Sequence, residues 1–333
     1  MIADLPRIPV IDARRGGAVG VACAAAAGMR DLLQEARRML TPPGLGLVDA
    51  VSRRWLERSG NPYCGEIGAI AGLLGRPGAH FLNASYEWAC TSGVGNDPDG
   101  GIRLIRVLDW RLHGLGRNLV VAWQRGRAGD FANLTWPGYV GVVTAAAPGR
   151  FAVAINQPPM MSWGAILPLD WAIGRARLWR SRGLPPAHLL RQAFENCAGY
   201  DDAKRLLSEA PLCLPAFFVM AGTRPGEGCV IERHPDRTAI REMPAGIANH
   251  WVALSLRGKA RGRHSHARLR QMETALSGMG AAGFAPTPPI INRDTRLIAV
   301  INPGRGRLAV QGWERSQPAT AELALSLDPG VEA

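Results

Sequence analysis

Pairs of β-type segments joined by short Pro- and Gly-containing turns constrain the fold of this chain most strongly. Three pairs are predicted, over residues 139–156, 216–232 and 297–311, and Pro148-Gly149 forms the first turn. Two further strands are predicted over residues 102–110 and 118–124. Neighbouring strands joined by short turns must be antiparallel, so the pattern favours sheets built from hairpins.

Helical patterns lie between these strand pairs. They are predicted over residues 186–196, 201–209 and 265–278. In the last of them, Leu269, Met272 and Leu276 recur at the spacing of one apolar helix face. Antiparallel hairpins with intervening helices indicate an α+β layered domain and disfavour a parallel, doubly wound sheet.

The first 89 residues are predicted to be mostly helical. Helices are expected over residues 29–40 and 66–74, and Pro42-Pro43-Gly44 separates the former from a helix that follows. In that following helix, Val48, Val51 and Trp55 are predicted to form one buried face. We therefore expect a helical region, residues 1–89, that precedes a second domain, residues 90–333.

Cysteine usage and small residues bear on the cellular location. The six cysteines show no C-x-x-C pair and no zinc-type spacing, so neither a metal nor a disulfide framework is predicted, and no cofactor motif accompanies them. Residues 16–28 are dominated by Ala and Gly, which favours a packing segment over a secretory signal. A cytoplasmic location is expected.

The chain is strongly basic, with a formal net charge of +12 at pH 7. The densest basic stretch, residues 257–270, is interpreted as a solvated loop that leads into a helix. No nucleic-acid-binding motif accompanies it, so a nucleic-acid partner is not expected. Weak contact with anionic membranes is the interaction that this charge predicts.

Cys90 is the residue with the clearest catalytic potential. Arg106 follows it by sixteen residues and Asp109 by nineteen, both on a predicted strand. A cysteine acts as a nucleophile when nearby cations or a base favour its thiolate. Cleavage of the chain before Cys90 would place a free amine on the residue that carries the thiol, and that amine is a suitable base.

The segments around Cys90 resemble the cysteine N-terminal-nucleophile (Ntn) amide hydrolases, a group that includes acid ceramidase, N-acylethanolamine acid amidase, penicillin V acylase and choloylglycine hydrolase. The resemblance covers most of the chain. Its motifs occur in one order, at residues 61–67, 81–87, 90–92, 106–109, 138–141, 148–149, 155–156, 194–196, 200–204 and 215–231. It implies a four-layer αββα sandwich of antiparallel sheets, with residues 1–89 as a helical pro-region or small subunit that stays associated with the core after cleavage.

The resemblance also implies roles near the nucleophile. Cys90 would be released by autocatalytic cleavage of the Ala89–Cys90 bond, and its α-amine would act as general base and then as general acid. Arg106 would favour the thiolate and help to fix the substrate. Asp109 would hydrogen-bond the α-ammonium group of Cys90.

Three further residues complete the implied site. Asn156 and Asn249 would stabilise the tetrahedral oxyanion, and Arg268 would support the site. A shifted alignment would place residues 254–256 where Asn249 is assigned. The double arginine of the ceramidase branch is not reproduced near Arg268, so ceramide is not assigned as the substrate.

The predicted activity is hydrolysis of a linear carboxamide, such as an N-acyl or fatty-acyl amide, through a thioester on Cys90. An acyltransferase of the same fold, in which an amine resolves the thioester, is one alternative. A non-catalytic basic binding protein with a decayed site is another.

Overall fold

The protein contains two large β-sheets that pack face to face. A computed structural model describes residues 5–84, 88–162, 167–277 and 284–327; three residues of the 81–87 motif, Ser85, Tyr86 and Glu87, lie outside these ranges. Sheet A has the strand order β1 (Val10–Asp12), β4 (Val120–Gly126), β5 (Gly129–Thr135), β6 (Thr144–Ala147), β7 (Phe151–Asn156), β9 (Ala216–Ala221), β10 (Gly228–His234) and β11 (Arg237–Glu242).

Sheet B forms the opposite layer. It has the order β12 (Ala245–Ile247), β2 (Trp88–Asn96), β3 (Ile102–Trp110), β14 (Thr295–Asn302) and β15 (Arg307–Glu314), with β16 (Gln317–Pro318) and β17 (Leu323–Ser326) also paired to β15. Two short strands, β8 (Met160–Met161) and β13 (Gly258–Lys259), pair separately. Within the described residues the ladders are antiparallel except for β1 and β4, which run parallel.

Helices cover the outer faces of both sheets. On sheet A, α7 (Pro186–Asn196) contacts β4, β5 and β7, and α8 (Tyr200–Glu209) contacts β9 and β10. On sheet B, α9 (Ser265–Ser277) packs on β2 and β12. Between the sheets, β2 and β3 pack on β7 and β9, and apolar side chains such as Leu104, Leu108 and Phe217 fill the space. The predicted four-layer α+β sandwich is confirmed.

The first strand of the first predicted hairpin is wrong. Its turn is correct, because Gly149 adopts the positive φ of +63° that a tight turn requires. Residues 139–143, however, form no strand. The N–H group of Val140 donates to Asn83 Oδ1 at 2.7 Å, and that of Val142 donates to the Ala187 carbonyl at 2.9 Å. These backbone groups therefore bond to the helical layers and not to a neighbouring strand.

Among the described residues, five helices precede β2. They are α1 (Gly17–Ala24), α2 (Ala26–Met39), α3 (Pro42–Arg58), α4 (Cys64–Leu74) and α5 (Ala79–Ala84), and α6 (Leu167–Arg180) follows later in the chain. The predicted buried face of α3 is wrong in part, because Val51 is 51% exposed whereas Leu45 and Leu56 are buried. A polar contact on α3 favours this orientation of the helix, because Asp49 accepts a hydrogen bond from the Phe81 N–H group on α5. No helix among the described residues is long and apolar enough to cross a bilayer.

Buried polar contacts join the N-terminal helices to α7. Glu66 on α4 accepts a hydrogen bond from the Ala18 N–H group at 2.7 Å and forms an ion pair with Arg191. Arg191 also pairs with Glu195 at 2.8 Å, and Glu195 accepts a hydrogen bond from the Tyr63 hydroxyl at 2.8 Å. The helices within residues 5–84 and helix α7 are thus linked by charged groups as well as by apolar packing.

Candidate active site

Cys90 lies on the face of β2 that points into the space between the sheets. Side chains alternate along a strand, so Ser92 shares this face, and Arg106 joins it because it stands directly opposite Ser92 in β3. Arg106 Nη1 donates to Ser92 Oγ at 3.2 Å and to Asn156 Oδ1 at 2.5 Å. The Cys90 thiol is 3.8 Å from the carbonyl oxygen of Ile155, the residue before Asn156. Strands from both sheets therefore converge on Cys90.

Asp109 lies on the opposite face of the same strand. It is three residues after Arg106, and residues at odd spacing on a strand face opposite ways. Its carboxylate accepts hydrogen bonds from Asn292 Nδ2 at 2.8 Å and from Thr295 Oγ1 at 2.9 Å. The structure shows no hydrogen bond between Asp109 and the Cys90 nitrogen. The predicted hydrogen bond from Asp109 to the α-ammonium group of Cys90 belongs to the cleaved chain, so this role stays a prediction.

Arg268 on α9 connects Asp109 to the nucleophile. Its Nη1 atom donates to the Cys90 carbonyl at 2.7 Å and to Thr91 Oγ1 at 2.8 Å, and it is 3.8 Å from Asp109 Oδ2. Its Nη2 atom donates to Asn249 Oδ1 at 2.9 Å. Arg268 is fully buried, so these oxygen acceptors satisfy a charge that would otherwise be unpaired in the interior.

The nitrogen of Cys90 is held by Asn249. The Cys90 N–H group donates to Asn249 Oδ1 at 2.9 Å, and Asn249 Nδ2 donates to the Gln157 carbonyl at 2.7 Å. In the alternative assignment, residues 254–256, the Leu254 N–H group donates to Glu232 Oε2 at 3.1 Å, and the hydrogen bond from the Cys90 N–H group goes to Asn249. The geometry thus brings Asn249, and not the shifted segment, to the nucleophile.

The two asparagine amides do not point at an oxyanion position in the uncut chain. Asn156 Nδ2 donates to the carbonyls of Ile247 and Ala248 at 3.1 and 3.3 Å, as Asn249 Nδ2 does to Gln157. Catalytic hydrogen bonds often form only with substrate bound. The oxyanion role of both residues therefore stays a prediction.

Burial dominates the electrostatics of this cluster. It raises the pKa of the Cys90 thiol to about 11, although the charges of Arg106 and Arg268 act to lower it. Burial also raises the pKa of Asp109 to about 6, against the opposing effects of Arg268, Asn292 and Thr295. In the uncut chain the thiol is therefore protonated at neutral pH, and nucleophilic attack requires a base.

A small pocket lies beside Asn156, on the side of sheet A. It is lined by Trp88, Ile155, Asn156, Gln157, Pro186, Leu214, Pro215 and Ala216. Gln157 Oε1 accepts a hydrogen bond from the Trp88 N–H group at 3.0 Å, and the Trp88 ring packs on Trp110 with centroids 4.9 Å apart. Trp88, two residues before Cys90, is thus held by contacts of both its backbone and its ring.

A loop approaches Ala89, the residue before Cys90, from the other side. Gly262 has a φ of +68°, and a Cβ atom there would lie 2.7 Å from Ala89 Cβ. Arg268 Nε anchors this loop by donating to the Arg263 carbonyl at 3.0 Å. Only glycine satisfies both the backbone conformation and the close approach at position 262.

All six sequence-predicted site residues belong to one connected cluster. Sequence reasoning assigned no role to several other residues that contact this cluster, among them Thr91, Ser92, Gln157 and Gly262. Thr91 and Ser92 were detectable, because alternation along a strand places Thr91 on the face opposite Cys90 and Ser92 on the same face. Gln157 and Gly262 are brought to the site by loop geometry, which leaves no periodic signal. The described residues include no group of three or more His, Cys, Asp or Glu side chains placed to hold a metal ion.

Comparison with known proteins identifies similar families. Residues 167–285 match the family model for acyl-coenzyme A:6-aminopenicillanic acid acyl-transferase. The chain is 29% identical over 208 residues to acid ceramidase of Heterocephalus glaber, covering 56% of this chain and 51% of that one. It is 30% identical over 193 residues to acid ceramidase of Homo sapiens, covering 52% and 47%. The chain thus spans about half the length of the curated relatives it matches.

A solved structure shows the same fold. The N-acylethanolamine-hydrolyzing acid amidase ortholog of Caenorhabditis elegans superposes with a TM-score of 0.51 at 22% identity, covering 65% of this chain and 93% of that one. The Ntn-hydrolase fold predicted from the sequence is confirmed. The predicted resemblance to the cysteine Ntn amide hydrolase group is confirmed as well.

Proposed function

We propose that this chain is a cysteine Ntn amidase that cleaves itself before Cys90 and then hydrolyses a linear N-acyl amide. The observation that carries the proposal is that side chains bind both polar groups of the Cys90 backbone. Its N–H group is held by Asn249 Oδ1 at 2.9 Å and its carbonyl by Arg268 Nη1 at 2.7 Å. Side chains that fix both groups also suit a free α-amine at this position. The similarity to acid ceramidases and to an acid amidase supports the same activity.

Maturation follows from the chemistry of the thiol. Cys90 Sγ attacks the Ala89 carbonyl, the C–N bond breaks, and the nitrogen takes up a proton to give a thioester and a free amine. Water then hydrolyses the thioester, which yields the Ala89 carboxylate and the free thiol. Residues 1–89 would remain bound as a small subunit, and the Glu66–Arg191 and Tyr63–Glu195 contacts support this arrangement.

The freed α-amine then serves as the base that the buried thiol lacks. It accepts the thiol proton as Sγ attacks the substrate carbonyl, and it returns the proton to the departing amine. Asn249 Oδ1 is placed to orient the amine, and Arg106 acts on the developing thiolate. Asn156 and Asn249 amide groups would meet the oxyanion once substrate is bound. Hydrolysis of the acyl thioester completes the cycle.

Release of a fluorescent amine from N-acyl amides of graded chain length tests this proposal. We expect turnover by the purified protein and none by the Cys90→Ala variant. Cys213→Ala is the matched control, because Cys213 is also buried but lies outside the cluster. Turnover by the Cys90→Ala variant would remove Cys90 from the mechanism.

Acyl transfer is the second candidate, because the matching family model is that of an acyl-transferase. Added acceptor amines distinguish the two reactions. Under the hydrolase proposal, free acid remains the main product as the amine concentration rises, whereas a transferase gives N-acyl product in proportion to the amine. A protein that neither cleaves itself nor turns over amides would be a non-catalytic binding protein.

We also propose that the basic loop near the site makes weak contact with anionic membranes. Arg257, Lys259 and Arg263 are exposed there, next to Val252, which is 42% exposed. Binding to vesicles that contain an anionic lipid should weaken as salt is raised from low to molar concentration. Salt-independent binding would contradict this contact.

A further inference from the structure

Glu232 is a fully buried carboxylate outside the cluster described above. It lies on β10, and no part of it is exposed to solvent. Its two oxygens accept hydrogen bonds from three consecutive backbone N–H groups, those of Val252, Ala253 and Leu254, at 3.1, 2.9 and 3.1 Å. Arg241 Nε is the fourth donor, at 3.3 Å. The carboxylate thus accepts four hydrogen bonds, about as many as an ionised carboxylate ordinarily accepts.

These bonds fix a loop that apolar packing holds only in part. Val252 is 42% exposed, and Ala253 is also exposed. Trp251 packs edge-on against Phe217, with centroids 4.9 Å apart. Apart from this ring contact, the loop is held by the hydrogen bonds from its backbone N–H groups to Glu232. Charge-assisted bonds to a buried carboxylate are stronger than neutral ones, so Glu232 dominates the position of residues 252–254.

Residues 252–254 begin three residues after Asn249. The chain before Asn249 is also bound to the Glu232–Arg241 pair. Arg241 Nη2 donates to the Gly246 carbonyl at 2.7 Å. The pair therefore clamps the chain on both sides of Asn249, between Gly246 and Leu254. Asn249 in turn contacts the Cys90 nitrogen. Displacement of either end would shift the Asn249 amide relative to Cys90.

We infer that Glu232 is a positioning residue that sets Asn249 against the nitrogen of Cys90. This inference rests on the proposed function, because it assigns Glu232 an effect on cleavage and turnover. Glu232 touches no reacting atom and acts through the backbone of residues 250–254. A neutral amide at this position would direct an NH₂ group at backbone N–H donors, which cannot pair with it.

The test combines Glu232→Gln with Asn249→Ala in a double-mutant cycle. A misplacement of about 1 Å can lower turnover up to about 100-fold, so we expect Glu232→Gln to reduce kcat at least tenfold with a smaller change in KM. Because Glu232 acts through Asn249, the double variant should be no slower than Asn249→Ala alone. Independent, multiplicative losses would overturn the inference. Glu242→Gln, at an exposed carboxylate on the neighbouring strand, is the matched control.

Hydrogen exchange of residues 248–256 separates this inference from the proposed function. If the wild-type protein neither cleaves itself nor hydrolyses amides, the proposed function fails. The clamp is then judged on protection of these amides, which should be lost in Glu232→Gln and kept in Glu242→Gln. Unchanged protection would overturn the clamp whatever the activity. Should Glu232→Gln not fold, Arg241→Gln removes the fourth donor and should give a smaller loss of kcat in the same direction.

Discussion

Asp109→Asn should change how stability depends on pH. Burial raises the pKa of Asp109 from 3.8 to about 6 in the folded protein. Between these values the folded state retains a proton that the unfolded state has released. The free energy of unfolding of the wild type therefore contains a contribution that is fully present below pH 3.8 and is lost as the pH rises through about 6.

The magnitude follows from the size of the shift. A shift of about two pKa units corresponds to about 3 kcal/mol, since one unit is about 1.4 kcal/mol. Asparagine does not ionise, so this loss is absent from Asp109→Asn. The difference in unfolding free energy, variant minus wild type, should therefore rise by about 2.4 kcal/mol from pH 4 to pH 7, because part of the loss has already occurred at pH 4.

Urea denaturation across this range measures the difference, with both proteins in a Cys90→Ala background so that the chain stays uncut. Asp130→Asn is the control of opposite sign. Hydrogen bonds from Arg125 hold the pKa of Asp130 below its ordinary value, so the unfolding free energy lost in Asp130→Asn should grow as the pH rises. A flat difference for Asp109→Asn, or one that falls with pH, would refute the argument that burial dominates at Asp109.

Three further predictions concern the site, the helical region and α3. Asn156→Ala and Asn249→Ala should each lower kcat about 10²- to 10³-fold if their amides stabilise the oxyanion; steady-state kinetics that show a change only in KM would contradict that role. Glu66→Gln removes the charged partner of Arg191 on α4, so gel filtration in moderate salt should separate the cleaved fragments of this variant but not those of the wild type. Leu56→Ala should lower the unfolding free energy by about 2–5 kcal/mol and Val51→Ala by less than about 0.5 kcal/mol, measured by urea denaturation; equal effects would restore the helix face that the sequence predicts.

Local periodicity predicted the elements well because the sandwich is assembled from short-range units. The predicted bounds of α7, residues 186–196, and of β3, residues 102–110, agree with the structure. The same reasoning failed at residues 139–143, where an apolar, β-type sequence is used for contacts with Asn83 and Ala187. Tertiary hydrogen bonds decided that segment, and no property of the segment itself reports them.

The site, too, was predictable from local sequence pattern only in part. Period-two alternation along β2 and β3 is enough to place Arg106 beside Cys90 and Asp109 on the opposite face. Asn249 and Arg268 reach Cys90 across separations of 159 and 178 residues, so only the family resemblance pointed to them. Glu232 has an unremarkable sequence context, and its role follows from a loop that folds back over β10.

Intact-mass spectrometry of the purified protein tests the central claim most directly. If Cys90 is a latent N-terminal nucleophile, the wild type yields two fragments that divide between Ala89 and Cys90, while Cys90→Ala remains uncut. Cys213→Ala should divide as the wild type does. A single uncut mass for the wild type after long incubation at acidic and neutral pH, or cleavage that persists in Cys90→Ala, would contradict the claim.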